Sequence, residues 1–323
     1  MKRALVTGAT GQDGIYLTQF LVEKGYEVTA TTSQPLTTPS VKFLKQINPS
    51  IKVLPMSILE SESIAETIAK VQPHEIYNLA SISSVAQSFL EPELTHQVNT
   101  VGPLQIINAI SDLKIADSVK LFQASSSEMF GQAKDFPQNE STPFNPTSPY
   151  AHSKTLAHLE CGLARESGIF VSCGIMFNHE SPYRGEAFVS KKICRGVAEI
   201  ALGFKKEITI GSLEPMRDWG FAGDYVQAMW AMLQYSSPED FVIATGISRS
   251  IKDFIQAALR SADLSEDLQN YIYQDPKLFR KIELLSTVGD ATKANKFLNW
   301  KPSTTFESMI QIMIANEIDI LTR

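Results

Sequence analysis

Cysteine is scarce in this sequence. The three present, Cys161, Cys173 and Cys194, are odd in number, and no two have the close spacing of a metal site or a redox pair. A reducing, cytoplasmic setting without a bound metal is expected. Long apolar runs are missing as well: nowhere do about 18 apolar residues follow one another, and Met1 to Thr7 leads straight into a strand-like segment. Neither a membrane span nor an export signal is expected. Positive charge is thin, with 29 Lys and Arg against 35 Asp and Glu, a net charge of -6 and no basic run. This excludes the broad electrostatic footprint of a nucleic-acid binder and leaves room for one basic pocket around a phosphate. Repeats, low-complexity tracts and linker-like stretches are also absent. The 323 residues read as an enzyme-sized globular protein with one large core or two unequal lobes.

What is present is an alternation. Ala4 to Thr7 is a short apolar run ending in glycines, and Gly14 to Lys24 carries Ile15, Leu17, Leu21 and Val22 at helical spacing. Further strand-like runs occupy Glu27 to Thr32, Ile51 to Met56, Glu75 to Leu79, Lys120 to Ala124 and Phe170 to Ile175. Amphipathic stretches such as Ser63 to Val71 and Leu94 to Ile110 separate them. Ser63 with Glu66 fits a capping box, and Pro92 fits a first helical turn. Strands alternating with helices predict an α/β fold, a Rossmann-type doubly wound parallel sheet covered on both faces. After Ile175 the alternation gives way to segments broken by Pro and Gly, Asn178 to Gly185 and Gly211 to Gly223. A smaller C-terminal α/β substrate lobe is expected there. The division is residues 1–177 with about 217–247 for the larger lobe, and about 178–216 with 248–323 for the smaller.

The first strand-to-helix junction reads Thr7-Gly8-Ala9-Thr10-Gly11-Gln12-Asp13-Gly14. Three glycines occur in many loops, but at this junction they have a specific use. Glycine permits the tight turn, lets the backbone approach a pyrophosphate, and leaves that anion on the positive end of the helix. A bound dinucleotide is predicted. The end of the second strand normally selects the nicotinamide cofactor, a carboxylate holding free ribose hydroxyls and an arginine a 2′-phosphate. Thr31-Thr32-Ser33-Gln34-Pro35 offers neither, so these residues leave NADP and NAD open.

Tyr150-Ala-His-Ser-Lys154 follows Pro149 at a helix start, which puts Tyr150 and Lys154 on one face at i and i+4. A phenol with an ordinary pKa of about 10 is a poor base near neutrality, and a neighbouring ammonium together with an oxidised nicotinamide favours its phenolate. Upstream, the strand Leu121 to Ala124 ends in Ser125-Ser126-Ser127-Glu128. Ligands of open α/β sheets bind at that carboxyl edge. Taken alone, the serines read as a cap or turn, Glu128 as a solvated charge, and the Tyr-Lys pair as helix surface. Combined with the glycine turn they read as a catalytic set.

These strings carry a resemblance. TGATGQDG, QASSSEMFG and SPYAHSK resemble the cofactor turn, active-site strand end and tyrosine-lysine helix of the extended short-chain dehydrogenases/reductases. Within that superfamily, FNHESPYRGEAFVSKKI, MRDWGFAGDYVQAMW, DFVIATG and GDATKANKFLNWKP resemble the GDP-mannose 4,6-dehydratase family over nearly the whole chain. The resemblance implies that Ser126, Glu128 and Tyr150 do the chemistry with Lys154 behind them, Ser126 standing where threonine is common. Cofactor contacts are implied for Gly8, Thr10, Gly11, Gln12, Asp13, Gly14, Leu79, Ser81, Lys154, His179 and Arg184. Substrate contacts are implied for Ser83, Glu128, Asn178, Val189, Lys192, Arg217, Arg280 and Glu283, and the forked guanidinium of Arg217 and Arg280 suits a diphosphate.

The implied activity is conversion of GDP-mannose to its 4-keto-6-deoxy product, with a related GDP-sugar such as a GDP-heptose as the alternative substrate. A GDP-sugar reductase or epimerase on the same fold is a rival that would not need Glu128. A catalytically idle dinucleotide-binding sensor is a rival of another class, and the intact catalytic set argues against it. NADP is the implied cofactor. The family's usual arginine pair is missing near Gln34-Pro35, its usual acidic residue near Ser57, and its proline-alanine after Arg280, where Lys281-Ile282 stands. NAD therefore stays open, and Lys42 or Lys45 is a candidate for the 2′-phosphate if the loop folds back. Leu94 to Ile110 and Tyr150 to Ser167 correspond to helices that pair across a two-fold axis in this superfamily, so a homodimer or homotetramer is expected.

Overall fold

The computed structural model describes residues 1–279 and 286–323. Six strands come first: β1 (Arg3–Thr7), β2 (Glu27–Thr32), β3 (Lys52–Pro55), β4 (Glu75–Asn78), β5 (Lys120–Ser126) and β6 (Phe170–Met176). Among them run α1 (Gln12–Glu23), α2 (Pro39–Ile47), α3 (Ser61–Val71), α4 (Val85–Leu90), α5 (Pro92–His96), α6 (Gly102–Asp112) and α7 (Pro149–Glu166). Then follow β7 (Asn178–Glu180), α8 (Val189–Ala201), β8 (Ile208–Ile210), β9 (Met216–Phe221), α9 (Ala222–Gln234), β10 (Asp240–Ile243) and β11 (Ser248–Ser250). The chain ends through α10 (Ile251–Ser261), β12 (Ile272–Gln274), α11 (Thr292–Leu298) and α12 (Phe306–Thr322). The central sheet is parallel throughout, in the order β3-β2-β1-β4-β5-β6-β10. It is the Rossmann-type sheet expected from the alternation. The strand order reverses between β1 and β4, and a crevice for ligand opens beyond their carboxyl ends.

Successive strand residues point to opposite faces, and β1 uses both. Ala4 and Val6 join Leu17 and Leu21 of α1 and Met229 and Leu233 of α9. Leu5 joins Ile64 and Ile68 of α3 and Ile106 and Ile110 of α6. Burial on two sides is why the strand reads as an unbroken apolar run. Each fully buried leucine such as Leu17 contributes on the order of 2 kcal/mol. A further core joins Ile193 and Val197 of α8 to Phe254 and Ile255 of α10 and Met309 and Ile310 of α12. Beside it lie two small sheets, β11-β9-β7 and β12-β8. No described helix is long and apolar enough to cross a membrane.

Two local expectations are corrected. Ser63 does not open a capping box: α3 begins at Ser61 with Glu60 as its cap, and the Ser63 hydroxyl accepts from the Ser57 N–H (3.4 Å). Pro92 does open a helix, but the run from Pro92 to Asp112 is interrupted by a π turn at Gln97–Val101. That turn faces Asn99 and Thr100 toward α7, where they bond Ser153 Oγ (3.2 Å) and Ser153 O (2.9 Å). Helix α2 was not anticipated, since only Val41 and Leu44 of it are buried and two apolar positions make a weak period.

Candidate active site

Thr7 ends β1 and ties the crevice together. Its hydroxyl donates to Asn78 Oδ1 (2.6 Å) and accepts from the N–H groups of Leu79 and Ala80 (3.1 Å each). Gly8 follows with φ +62°, and a Cβ there would lie 2.7 Å from Leu79 C and Ala80 N. Only glycine lets the two strand ends approach so closely. At Gly14 a Cβ would meet the Ala9 backbone at 2.4 Å, so α1 packs directly on the turn. Gly11 differs: only Gly8 O, at 3.3 Å, lies within 4 Å of its missing Cβ. With Thr10, Gln12 and Asp13, and with Leu79 and Ser81 across the crevice, these glycines line one end of a cleft of about 770 Å³. The cleft beside Gly11 and the positive end of α1 fit a dinucleotide diphosphate.

The middle of the cleft belongs to α7 and the end of β5. Ser148 caps α7 by accepting from Ala151 N–H (3.1 Å), and Pro149 opens it. Tyr150 and Lys154 then share a face, Lys154 Nζ lying 5.9 Å from the Tyr150 ring centre and donating to Ala124 O (3.0 Å). Ser126 Oγ accepts from the Glu128 N–H (3.2 Å), which starts a short 3-10 turn and fixes Glu128 at the edge of the cleft, half-buried. Ser126, Glu128, Tyr150 and Lys154 all line it. Burial pushes the Tyr150 phenol up to about 12, the Ser126 hydrogen bond opposing and the Glu128 charge adding to the rise. Burial also pulls Lys154 down to about 8, with the Asp13 charge opposing. The lysine four residues on therefore does not by itself bring the phenol toward neutrality.

The far end is built by β7, α8 and β9. Asn178 and His179 lie in β7, Val189 opens α8, Lys192 stands exposed in its first turn, and Arg217 lies buried in β9, its Nη1 donating to Met216 O (2.9 Å). Arg184 stands on the loop between β7 and α8, its Nε 3.0 Å from Glu180 Oε2 and its guanidinium 3.6 Å from the Phe188 ring centre. Ser83 borders the cleft from the loop before α4. Every residue to which the resemblance assigns a cofactor or substrate contact lines this one cleft, apart from Arg280 and Glu283, which lie outside the described residues; Lys42 and Lys45, the candidates for a 2′-phosphate, do not line it.

The family model described as GDP-mannose 4,6 dehydratase matches residues 5–313. The chain belongs to the GDP-mannose 4,6-dehydratase family. Members of this family are NAD(P)-dependent hydro-lyases. The chain is 39% identical to the GDP-mannose 4,6-dehydratase of Vibrio cholerae, over 98% of this chain and 94% of that one. It is 40% identical to GDP-mannose 4,6 dehydratase 1 of Arabidopsis thaliana, over 100% and 91%. Among solved structures, RMD from Pseudomonas aeruginosa complexed with NADPH superposes with a TM-score of 0.83 at 21% identity, covering 99% of this chain and 100% of that one. That likeness shows the fold.

Several supports of this dehydratase-family cleft escape a reading of the sequence. His158, one turn beyond Lys154, meets Ser125 Oγ through Nδ1 (2.9 Å) and Asp240 through Nε2 (3.5 Å), and Arg165 holds Asp240 from outside (2.5 Å). Asn99 pins the loop after β4, accepting from Ser81 Oγ (3.1 Å) and Ile82 N–H (2.9 Å) and donating to Ile82 O (3.0 Å). Asp218 gathers the N–H groups of Thr245, Gly246 and Gly289 (2.8, 2.8 and 3.2 Å). Extending the Tyr150–Lys154 spacing by four residues is the one signal that finds His158. In the loop after β2, Gln34 Oε1 accepts from Ser40 Oγ (2.6 Å) and Thr38 Oγ1 (3.4 Å), and Lys42 and Lys45 stand on the exposed side of α2.

Proposed function

We propose that this chain is a GDP-mannose 4,6-dehydratase, converting GDP-mannose to GDP-4-keto-6-deoxymannose with loss of water. The observation that carries the reading is Glu128 beside Ser126, Tyr150 and Lys154, midway along one cleft that begins at the glycine turn. Asn178, Val189, Lys192 and Arg217 are assigned to the nucleotide-sugar, with residues 178–216 and 248–323 as its lobe. Gly8, Gly11 and Gly14 would hold the dinucleotide, which in its oxidised form would supply a hydride store between C4 and C6 and a positive charge that favours the Tyr150 phenolate. Tyr150 takes the proton of the 4-hydroxyl, which Ser126 orients, and Lys154 stabilises the phenolate. The resulting 4-ketone acidifies C5. Glu128 removes the C5 proton and delivers it to the departing 6-hydroxyl, which leaves as water; once C6 is reduced, C5 regains a proton that exchanges with solvent through Glu128, and Tyr150 releases the 4-hydroxyl proton. Incubation with GDP-mannose and no added reductant should give a product lighter by one water. Recovery of unchanged or epimerised sugar would sink the assignment.

The cofactor assigned is NADP, held with weaker discrimination against NAD than an arginine pair would give, because the loop after β2 meets a 2′-phosphate with hydroxyls and an amide. The nucleotide released on denaturing freshly purified protein should be mainly NADP, and NAD alone would overturn this. The assembly assigned is at least a dimer. Leu156, Leu159 and Leu163 are 46%, 53% and 56% exposed along one side of α7, a stripe at helical spacing that a second copy would cover. Light scattering at micromolar concentration should show a dimer or larger for the native chain and a monomer for Leu159→Glu/Leu163→Glu. A monomeric native chain would refute it.

A further inference from the structure

Asp13 sets a negative charge in the first turn of α1, beside the glycine turn that fits a diphosphate. Two anions at one helix start repel. The structure answers with His179, whose Nε2 lies 2.9 and 3.0 Å from the two Asp13 carboxylate oxygens and whose Nδ1 lies 2.7 Å from Phe177 O. A carbonyl and an ionised carboxylate only accept hydrogen bonds, so with Asp13 ionised both ring nitrogens donate, an arrangement that favours the imidazolium. It lies stacked on Tyr225, centres 4.6 Å apart. A second bond runs in parallel: Gln12 Nε2 donates to His179 O (2.9 Å), and Gln12 Oε1 accepts from Ser181 Oγ (2.8 Å).

We infer that His179 is a positioning residue for the cofactor, the counter-ion that cancels Asp13 so that the turn can hold a dinucleotide diphosphate, and the clasp that binds the start of α1 to β7. Both of its ring nitrogens are engaged by protein atoms, so it acts on the dinucleotide through Asp13. The other groups facing the pair are Gln12 on α1, Arg184 after β7 and Tyr225 on α9, with Lys154 and Tyr150 on α7 within reach of the Asp13 charge. Burial pushes the Asp13 carboxyl up, but the charges of His179 and then Arg184 hold it below its ordinary value. Burial pushes His179 down, and Asp13 outweighs it to hold the imidazolium above its ordinary value. Without His179 the Asp13 carboxyl would rise, and its charge would return against the diphosphate as pH climbs through that raised value.

The inference rests on the dinucleotide part of the proposed function and not on the identity of the sugar. The test is therefore fluorescence titration with NADPH and with NADH, without sugar, from weakly acidic to neutral pH. His179→Gln should weaken binding of the better probe by about tenfold or more at neutral pH, and less in weak acid. Adding Asp13→Asn should restore most of the loss and remove the pH dependence. Asp13→Asn alone keeps an acceptor for His179 and should bind at least as tightly as the native chain, an arm that decides the matter if His179→Gln fails to fold. A double variant no tighter than His179→Gln, or Asp13→Asn as weak as His179→Gln, would overturn the role. Turnover of GDP-mannose is measured separately on the native protein, so its absence would count against the activity and not against the clasp.

Discussion

Glu128→Gln is expected to cut formation of the 4-keto-6-deoxy sugar by roughly 10²- to 10⁴-fold while leaving affinity for the GDP-sugar nearly unchanged. The amide has the shape of the carboxylate, and the backbone at this position is fixed by the bond from the Glu128 N–H to Ser126 Oγ, so the cleft keeps its form. What is lost is the ability to take a proton from C5 and return it to the leaving hydroxyl. Oxidation at C4 does not need that proton transfer. Solvent deuterium should therefore no longer enter C5 of the sugar, a readout that separates this lesion from a general loss of binding. Product formation at the native rate would remove Glu128 from the role.

The parts legible in the sequence are those encoded over a few neighbouring residues. The turn Gly8 to Gly14 needs glycine for reasons of close approach, and Gly8 and Gly14 meet backbone at 2.7 and 2.4 Å. Tyr150 and Lys154 share a face because they are one helical turn apart, and Ser126 and Glu128 fall at a strand end because apolar residues precede them. Side-chain pairs between distant segments leave no such trace. Asp13 and His179 are 166 positions apart, and nothing in either neighbourhood names the other. The same holds for Asn99 with Ile82 and for His158 with Asp240. Ser63 shows the converse failure, since a correct cap pattern was outcompeted by a helix that starts at Ser61 and a hydroxyl already engaged by Ser57. Tyr150 shows a third kind: the spacing revealed a nearby ammonium, but not the burial that raises the phenol.

That burial makes Lys154→Met the most informative change in the cleft. The ordinary lysine value is 10.5, and in the folded protein Lys154 is pulled to about 8 at 4% exposure. Below about pH 8 the unfolded and folded chains both carry this proton, and the folded chain bears the full cost of the buried ammonium, on the order of 3 kcal/mol from the size of the shift. Between about 8 and 10.5 the folded chain has released a proton that the unfolded chain keeps, so stability rises with pH and the cost fades. Methionine fills similar space without the charge. At neutral pH, and without added dinucleotide, Lys154→Met is expected to melt several degrees higher than the native chain, and the gain should shrink as the pH is raised through that window. Dehydration should fall by roughly 10²-fold or more, because Tyr150, pushed up to about 12, loses the ammonium that the proposed mechanism gives its phenolate. A variant that melts lower than the native chain at neutral pH would show that the Lys154 bond to Ala124 O outweighs the cost of burial, and a variant with undiminished turnover would show that the phenolate is stabilised by other charges.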